Sequence, residues 1–255
     1  MIKLVYVIVR REGLSAEDFR SDWLNNHGPL VAAQAKALKL RKYVQSHPFD
    51  DPASEAMRAV RGMRGPADGV TEVWWDSLED FQSVYATPEG AEGGRILAED
   101  EARFIDFEKS AVSLTREHVI FDHTGGRGPG PAAVKATYLL TRRDDLTQAQ
   151  CHDTWLRDHG PLVASFAEPL GMAKYVQSHA IAPEVNAGMQ TARTYEPPLD
   201  GITEVWVNSL EGMQGGAAAA HHAGAALVED ERRFVQMDRS RLFLTREHVI
   251  FDHTQ

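Results

Sequence analysis

Apolar and polar positions follow two rhythms along this chain, and the order of the rhythms occurs twice. "KLVYVIVRR" (3–11) is apolar and β-branched on both alternating faces, as is "ATYLLT" (136–141). A strand apolar on both faces is predicted to be buried on both. Helical spacing follows. Ser15 with Asp18, and Thr147 with Gln150, read as capping-box starts. The first helix is expected to run to about Asn26 and to stop at Gly28-Pro29, with a second helical piece from Pro29. "RKYVQSH" (41–47) reads as a second strand, followed by a loop of about twenty residues with room for a helical turn. "GVTEVWWD" (69–76) reads as a third strand, 77–107 as a helical region opened by Ser77 and Glu79-Asp80, and "SLTREHVIFDH" (113–123) as a fourth strand.

The repetition is literal in places. "HGPLVA" at 27–32 returns at 159–164, and "KYVQSH" at 42–47 returns at 174–179. "DGVTEVWWDSLE" at 68–79 becomes "DGITEVWVNSLE" at 200–211, and "EDEARF" at 99–104 becomes "EDERRF" at 229–234. "LTREHVIFDHT" at 114–124 is unchanged at 244–254. Two domains are therefore expected, 1–124 and 134–255, joined by the Gly/Pro-rich linker 125–133, which cannot continue a strand or helix. Each reads β-α-β-β-α-β, the split βαβ of ferredoxin-like domains. Each sheet would carry helices on one face and leave the other bare. The fold class expected is α+β, with the two domains packed sheet to sheet as a pseudo-dimeric α+β barrel.

Composition narrows the function classes. The net charge of -10 repels phosphate backbones and anionic lipid, so neither nucleic acid nor membrane is an expected partner. No run of about 18 apolar residues is present, and the N-terminal apolar run reads as a strand, not a signal peptide. The single cysteine, Cys151, excludes an internal disulfide and a thiolate metal cluster. A cytoplasmic location is expected, with the internal pseudo-dimer open to further homo-oligomerisation.

Candidate chemistry lies in the repeated motifs. Phe19, Trp23 and His27 stand at i, i+4 and i+8 on one apolar helix face, as do Cys151, Trp155 and His159. A histidine at the end of a helix, pulled one way by burial and the other by the negative helix end, is suited to general acid–base work. The alternative is a core histidine that bonds a backbone carbonyl and locks the Gly-Pro corner. Alternation puts Tyr43, Gln45 and His47 on one face of the second strand, and Tyr175, Gln177 and His179 likewise. Glu72 and Trp74 share a face of the third strand, as do Glu204 and Trp206. If these faces meet that of His27, a cavity results that suits an aromatic or cyclic ketone. For the tryptophans and tyrosines the alternative is core packing, and for the glutamates a paired strand carboxylate. His118 and His248, on the fourth strand, are further binding candidates. His123 and His253 read as strand ends, His221-His222 as helix surface, and Cys151 as a small core residue. Arg61 and Arg193 occupy matching loop positions, either meeting an acidic substrate group or simply exposed.

"DWLNNHGPLV…KYVQSH…DGVTEVWWDSLEDF…EDEARFIDF…REHVIF" resembles an EthD domain, and its second copy does so over almost the whole remaining half. The resemblance implies an α+β barrel similar to tetracenomycin-type polyketide cyclases and fungal anthraquinone-pathway proteins. It implies a small-molecule cavity in each module, usually without a cofactor. Related barrels also include haem proteins, so a haem ligated by a buried histidine is one departure from that expectation. A metal on His27, His47 and Glu72 is another. The function expected is a cofactor-independent acid–base enzyme of lyase, dehydratase, isomerase or cyclase type. Its substrate would be a hydrophobic aromatic or cyclic carbonyl compound of catabolism or secondary metabolism. His27, His159, His47, His179, Tyr43 and Tyr175 are its candidate catalytic groups. Trp23, Trp155, Gln45, Gln177, Glu72, Glu204, Trp74, Trp206, His118 and His248 are its candidate binding groups, with no metal ligand assigned. A cofactor-free oxygenase of phenols or anthrones, and a hydrophobic-ligand carrier without turnover, are the alternatives.

Overall fold

The structure, a computed structural model, describes residues 1–126, 128, 130, 132–210 and 218–254. Eight strands close into one antiparallel barrel in the order β1-β3-β2-β8-β5-β7-β6-β4. The first half supplies β1 (Ile2–Ile8), β2 (Lys42–Pro48), β3 (Gly69–Trp75) and β4 (Ala111–Asp122). The second supplies β5 (Val134–Leu140), β6 (Met172–Ala180), β7 (Gly201–Val207) and β8 (Arg241–Asp252). Residues 127, 129 and 131 of the expected linker, and Glu211 of the second "NSLE" motif, lie outside the described residues.

The halves join edge to edge as well as across the lumen. β4 and β8 are each 12 residues long. The first part of β4 pairs with β1, Lys3 opposite Thr115, and its second part pairs with β6, His118 opposite Gln177. β8 does the same with β5 and β2, placing His248 opposite Gln45. Each half thus lends the end of its last strand to the other.

Helices α1 (Ala16–Asp22), α2 (Gly28–Gln34), α3 (Pro52–Ala59), α4 (Leu78–Ser83) and α5 (Pro88–Phe104) follow in the first half. In the second half come α6 (Gln148–Thr154), α7 (Gly160–Ser165), α8 (Pro183–Arg193) and α9 (Ala218–Glu231). Ser15 caps α1 by accepting from the Asp18 N–H at 3.0 Å, and the complete capping box forms only at Thr147 and Gln150. The helix does not stop at Gly28-Pro29. A π-helical turn, Trp23–His27, carries it into α2, with the Gly28 N–H reaching back five residues to the Trp23 carbonyl. The wider turn takes the chain past Pro29, whose ring in a regular α-turn would meet the carbonyl four residues back. Trp155–His159 repeats the device. α3 and α8 lie in the expected long loops, and each packs across the barrel on the other half's last strand, α3 on β8 and α8 on β4.

Strand alternation divides the residues into two layers. Toward the helices, Ile2, Tyr43, Val73, Trp75 and Leu114 gather with Val31 and Leu38. Toward the lumen lie Val5, Val7, Val70, Leu139, Ile202 and Phe243. At one end of the lumen, Lys3 Nζ meets Glu72 and Glu117 at 3.1 Å each, and also Glu204. Lys135 Nζ meets Glu204 and Glu247 at 2.9 Å each, and also Glu72. Trp74 stands between the ammonium groups of Lys3 and Lys42, and Trp206 between those of Lys135 and Lys174. Among the described residues no helix is long and apolar enough to cross a membrane.

Candidate functional site

A cavity of about 370 Å³ lies in the first half between the outer face of the sheet and α5. Leu4, Val31, Leu38, Val73, Trp75 and Leu97 make its walls apolar. Tyr85 stands exposed at its edge, packed over Gly94, where a Cβ would come within 2.3 Å of the Tyr85 ring. Its cover comes from the second half: Met189, Ala192 and Arg193 of α8, and Tyr195 just beyond. A dry cavity of about 150 Å³ holds benzene, so this one accommodates two to three fused rings.

His27 lines this cavity, placed there by the π turn. Its Nδ1 lies 2.8 Å from Asp100 Oδ2 on α5. A carboxylate only accepts, so the neutral imidazole carries its proton on Nδ1. Nε2, which has no protein partner among the described residues, is then a free base toward the cavity. Phe104 packs edge-on against the imidazole at 5.2 Å and fixes its plane.

The cavity also holds a polar chain. Arg193 is paired with Glu101 and donates to the Tyr195 hydroxyl at 3.3 Å, and that hydroxyl donates to Tyr6 at 3.1 Å. Burial, with the Glu101 carboxylate nearby, pushes the Tyr6 phenol well above its ordinary value. Tyr43 is pushed up to about 12 by burial, and its hydroxyl accepts from Gln45 Nε2 at 3.1 Å. Both phenols therefore stay protonated and serve as donors.

The second half repeats the frame without the space. His159 Nδ1 lies 2.8 Å from Asp230 Oδ2, but the cavity beside it is about 30 Å³. Met63 stands where the first site has Tyr195, and Val207 where it has Trp75. Arg61 bonds both oxygens of Glu231 at 2.7 and 2.9 Å. Tyr138, the counterpart of Tyr6, has the Arg61 guanidinium 5.5 Å from its ring, and among the described residues no second phenol bonds its hydroxyl. Tyr175 is likewise held protonated by burial.

Several expected site residues fall elsewhere. His47 stacks on Trp23 at 4.4 Å, bonds Gln45 Oε1 at 3.1 Å and touches His248. Gln45 Nε2 donates to the Trp23 carbonyl at 2.7 Å. His179, Trp155, Gln177 and His118 repeat this packing, with His152 added. Burial holds His47 down to about 3 and His179 to about 2, which suits neutral packing groups and not proton shuttles. Neither lines the cavity of its half. Glu72, Glu204, Trp74 and Trp206 do not join the His27 face at all. They point into the lumen, on the opposite side of the sheet, because Lys3 and Lys135 draw the carboxylates there.

The alternative of a metal on His27, His47 and Glu72 does not assemble, since the sheet separates Glu72 from His27 and His47 is locked against Trp23. Among the described residues Glu72, Glu204 and Glu247 do approach one another, but Lys3 and Lys135 occupy the space between those carboxylates. In the first-half cavity His27 is the lining histidine, and a haem macrocycle of four pyrrole rings exceeds a space of about 370 Å³ sized for two to three rings. Arg61 and Arg193 are not exposed charges but pairs made across the halves. Cys151 is buried and its thiol is pushed up to about 12 by burial, as befits a core residue. His221 and His222 are exposed, and His123 stacks on Phe121 at the strand end.

Asp100, Glu101, Tyr6, Tyr195 and the lumen lysines Lys3 and Lys135 were not singled out from sequence. A signal existed for some of them. "ED" precedes "E" in both copies of the 99–104 motif, and Tyr6 and Tyr138 hold the same place in β1 and β5.

The family model for the EthD domain matches residues 11–108 and 143–238. No curated protein matches the chain as a relative. Among solved structures the chain is similar to an anthrone oxidase-like protein, at 14% identity and a TM-score of 0.55, over 99% of this chain and 94% of that one. It is also similar to a dye-decolorizing peroxidase from Bacteroides thetaiotaomicron VPI-5482, at 8% identity and a TM-score of 0.50, over 96% and 92%. At these identities the likeness speaks for the fold alone.

Proposed function

This chain belongs to the EthD domain family, and from that premise we propose that its first half binds a hydrophobic cyclic or aromatic carbonyl compound and moves a proton on it. His27 is the general base and then the acid. Nε2 takes a proton from carbon or oxygen beside the carbonyl, Asp100 holds the imidazole and stabilises its charged form, and the same nitrogen returns the proton elsewhere. Keto–enol transfer, dehydration and ring closure all share this step, which gives a lyase, isomerase or cyclase without need of a cofactor. The observation that carries the reading is the His27–Asp100 pair, with its second ring nitrogen open to an apolar cavity of about 370 Å³. The histidines His47 and His179 are assigned to the scaffold.

The test is exchange of the acidic C–H of bicyclic and tricyclic ketones in deuterated buffer, followed by proton NMR. Wild-type protein should accelerate exchange for at least one ring ketone, and His27→Gln should abolish it. Exchange unchanged by His27→Gln overturns the assignment. Binding without exchange favours a carrier.

The fold likeness to an anthrone oxidase-like protein supports a second reading. Deprotonation of an anthrone or phenol by His27 leaves an electron-rich anion on which dioxygen acts. Oxygen consumption in the same assay separates the two.

A further inference from the structure

The donor that holds the substrate oxygen is assembled from both halves. Tyr6 comes from β1 of the first half, while Arg193 and Tyr195 arrive on the α8 arm of the second. A guanidinium only donates, so Arg193 enters the chain as its first donor. Its N–H goes to the Tyr195 oxygen, the Tyr195 O–H goes to the Tyr6 oxygen, and the Tyr6 O–H is left for a partner. Each bond polarises the next. Tyr6 lines the cavity, as do both groups behind it. Glu101 neutralises Arg193, so the cavity carries no net charge from this pair and does not favour a carboxylate. In the second half the same position is Met63, the chain is absent, and the cavity has shrunk to about 30 Å³.

We propose that Tyr6 is the hydrogen-bond donor to the carbonyl or phenolic oxygen of a neutral ring substrate, with Arg193 and Tyr195 as the residues that position and polarise it. The substrate class is thereby narrowed to uncharged oxygenated ring systems, bound with oxygen at Tyr6. This rests on the cavity being the substrate site, as proposed above. Charge that develops on the oxygen when His27 removes a proton is met by the last donor of the chain.

The test compares 1-tetralone with tetralin, the same two rings without the oxygen. Wild type is expected to bind tetralone about tenfold more tightly, the effect of one good hydrogen bond, and to lower the carbonyl stretch of bound tetralone in the infrared. Tyr6→Phe should remove both effects and leave tetralin binding unchanged. Tyr195→Phe should reduce the infrared shift in part, and Tyr138→Phe should alter nothing. A tetralone preference and infrared shift that survive Tyr6→Phe overturn the proposal. Failure of wild type to bind either ring overturns it together with the cavity assignment. His27→Gln distinguishes the two readings, because it should stop exchange while keeping the tetralone preference. Tetralin binding by Tyr6→Phe itself shows that this variant is folded.

Discussion

Arg61 of the first half and Glu231 of the second form a bidentate pair at 2.7 and 2.9 Å, buried beneath Tyr138. Removing one member leaves the other charge buried without its partner. Glu231→Gln or Arg61→Met should each cost about 3–5 kcal/mol, read as a lowered denaturant midpoint. The double variant Arg61→Met/Glu231→Leu should recover much of that loss. Equal costs for single and double variants would show that the pair is worth no more than its packing.

The two histidines of the repeated motif should differ in effect. His27 faces a cavity and His159 faces almost none. His27→Gln should lower turnover of an exchange-competent ketone by at least about 10²-fold, and His159→Gln should leave it within about twofold. Asp100→Asn should fall between them, since it releases the ring without removing it. A His159→Gln loss as large as that of His27→Gln would place chemistry in the second half.

Gly69 and Gly201 explain why "DG" opens the third strand in both copies. A Cβ at Gly69 would stand 2.5 Å from the Trp23 ring, and one at Gly201 would stand 2.4 Å from the Ser178 carbonyl oxygen and 2.6 Å from Trp155. Gly69→Ala and Gly201→Ala should each destabilise by about 1–3 kcal/mol through overpacking, seen as a fall in melting temperature. The glycines and tryptophans of the repeated motifs thus belong together as one packing unit.

Acid should weaken the fold above the ordinary carboxylate range. His47 and His179 are held down to about 3 and about 2 when folded, against an ordinary value near 6.5. The stability they confer is full above pH 6.5 and drains as pH falls toward 3, because only the unfolded chain takes up the proton. Each drains at most about 1.4 kcal/mol per pH unit. Glu204 acts in the opposite sense. Burial, with Glu72 beside it, pushes its carboxyl up to about 7, so the folded state gains relative to the unfolded one as pH falls from 7 to 4.5. Two histidines outweigh one carboxyl, so the melting temperature should drop from pH 7 to pH 5. His47→Phe/His179→Phe, which keeps the stacks on Trp23 and Trp155, should flatten that slope. An unchanged slope would sink the assignment.

What sequence made legible was local. The spacing of Phe19, Trp23 and His27 by fours placed His27 against the sheet, and the alternation of Tyr43, Gln45 and His47 placed them together, because both patterns are decided within a few residues. Alternation could not say which face of β3 meets the helices, so Glu72 and Trp74 were expected with His27. The partner that decides it, Lys3, sits opposite Trp74 in a different strand. The Tyr195 hydroxyl that reaches Tyr6 lies 189 residues away in sequence and arrives on an arm from the other half. Such a contact leaves no periodic trace. The continuation of the helix through Gly28-Pro29 was hidden for a different reason, since a π turn uses the same residues as a helix stop.

The crossing of α8 roofs the first pocket from the opposite half, while the arm of α3 sets Met63 into the core of the second half. In an assembly of two identical chains, any change to a roof residue would be made at both pockets at once. Here Tyr195 and Met63 are separate positions on one chain, so a substitution at either alters a single pocket. The fused barrel can therefore specialise one chamber for a ligand and commit the other to holding the halves together, a division of labour closed to a symmetric pair.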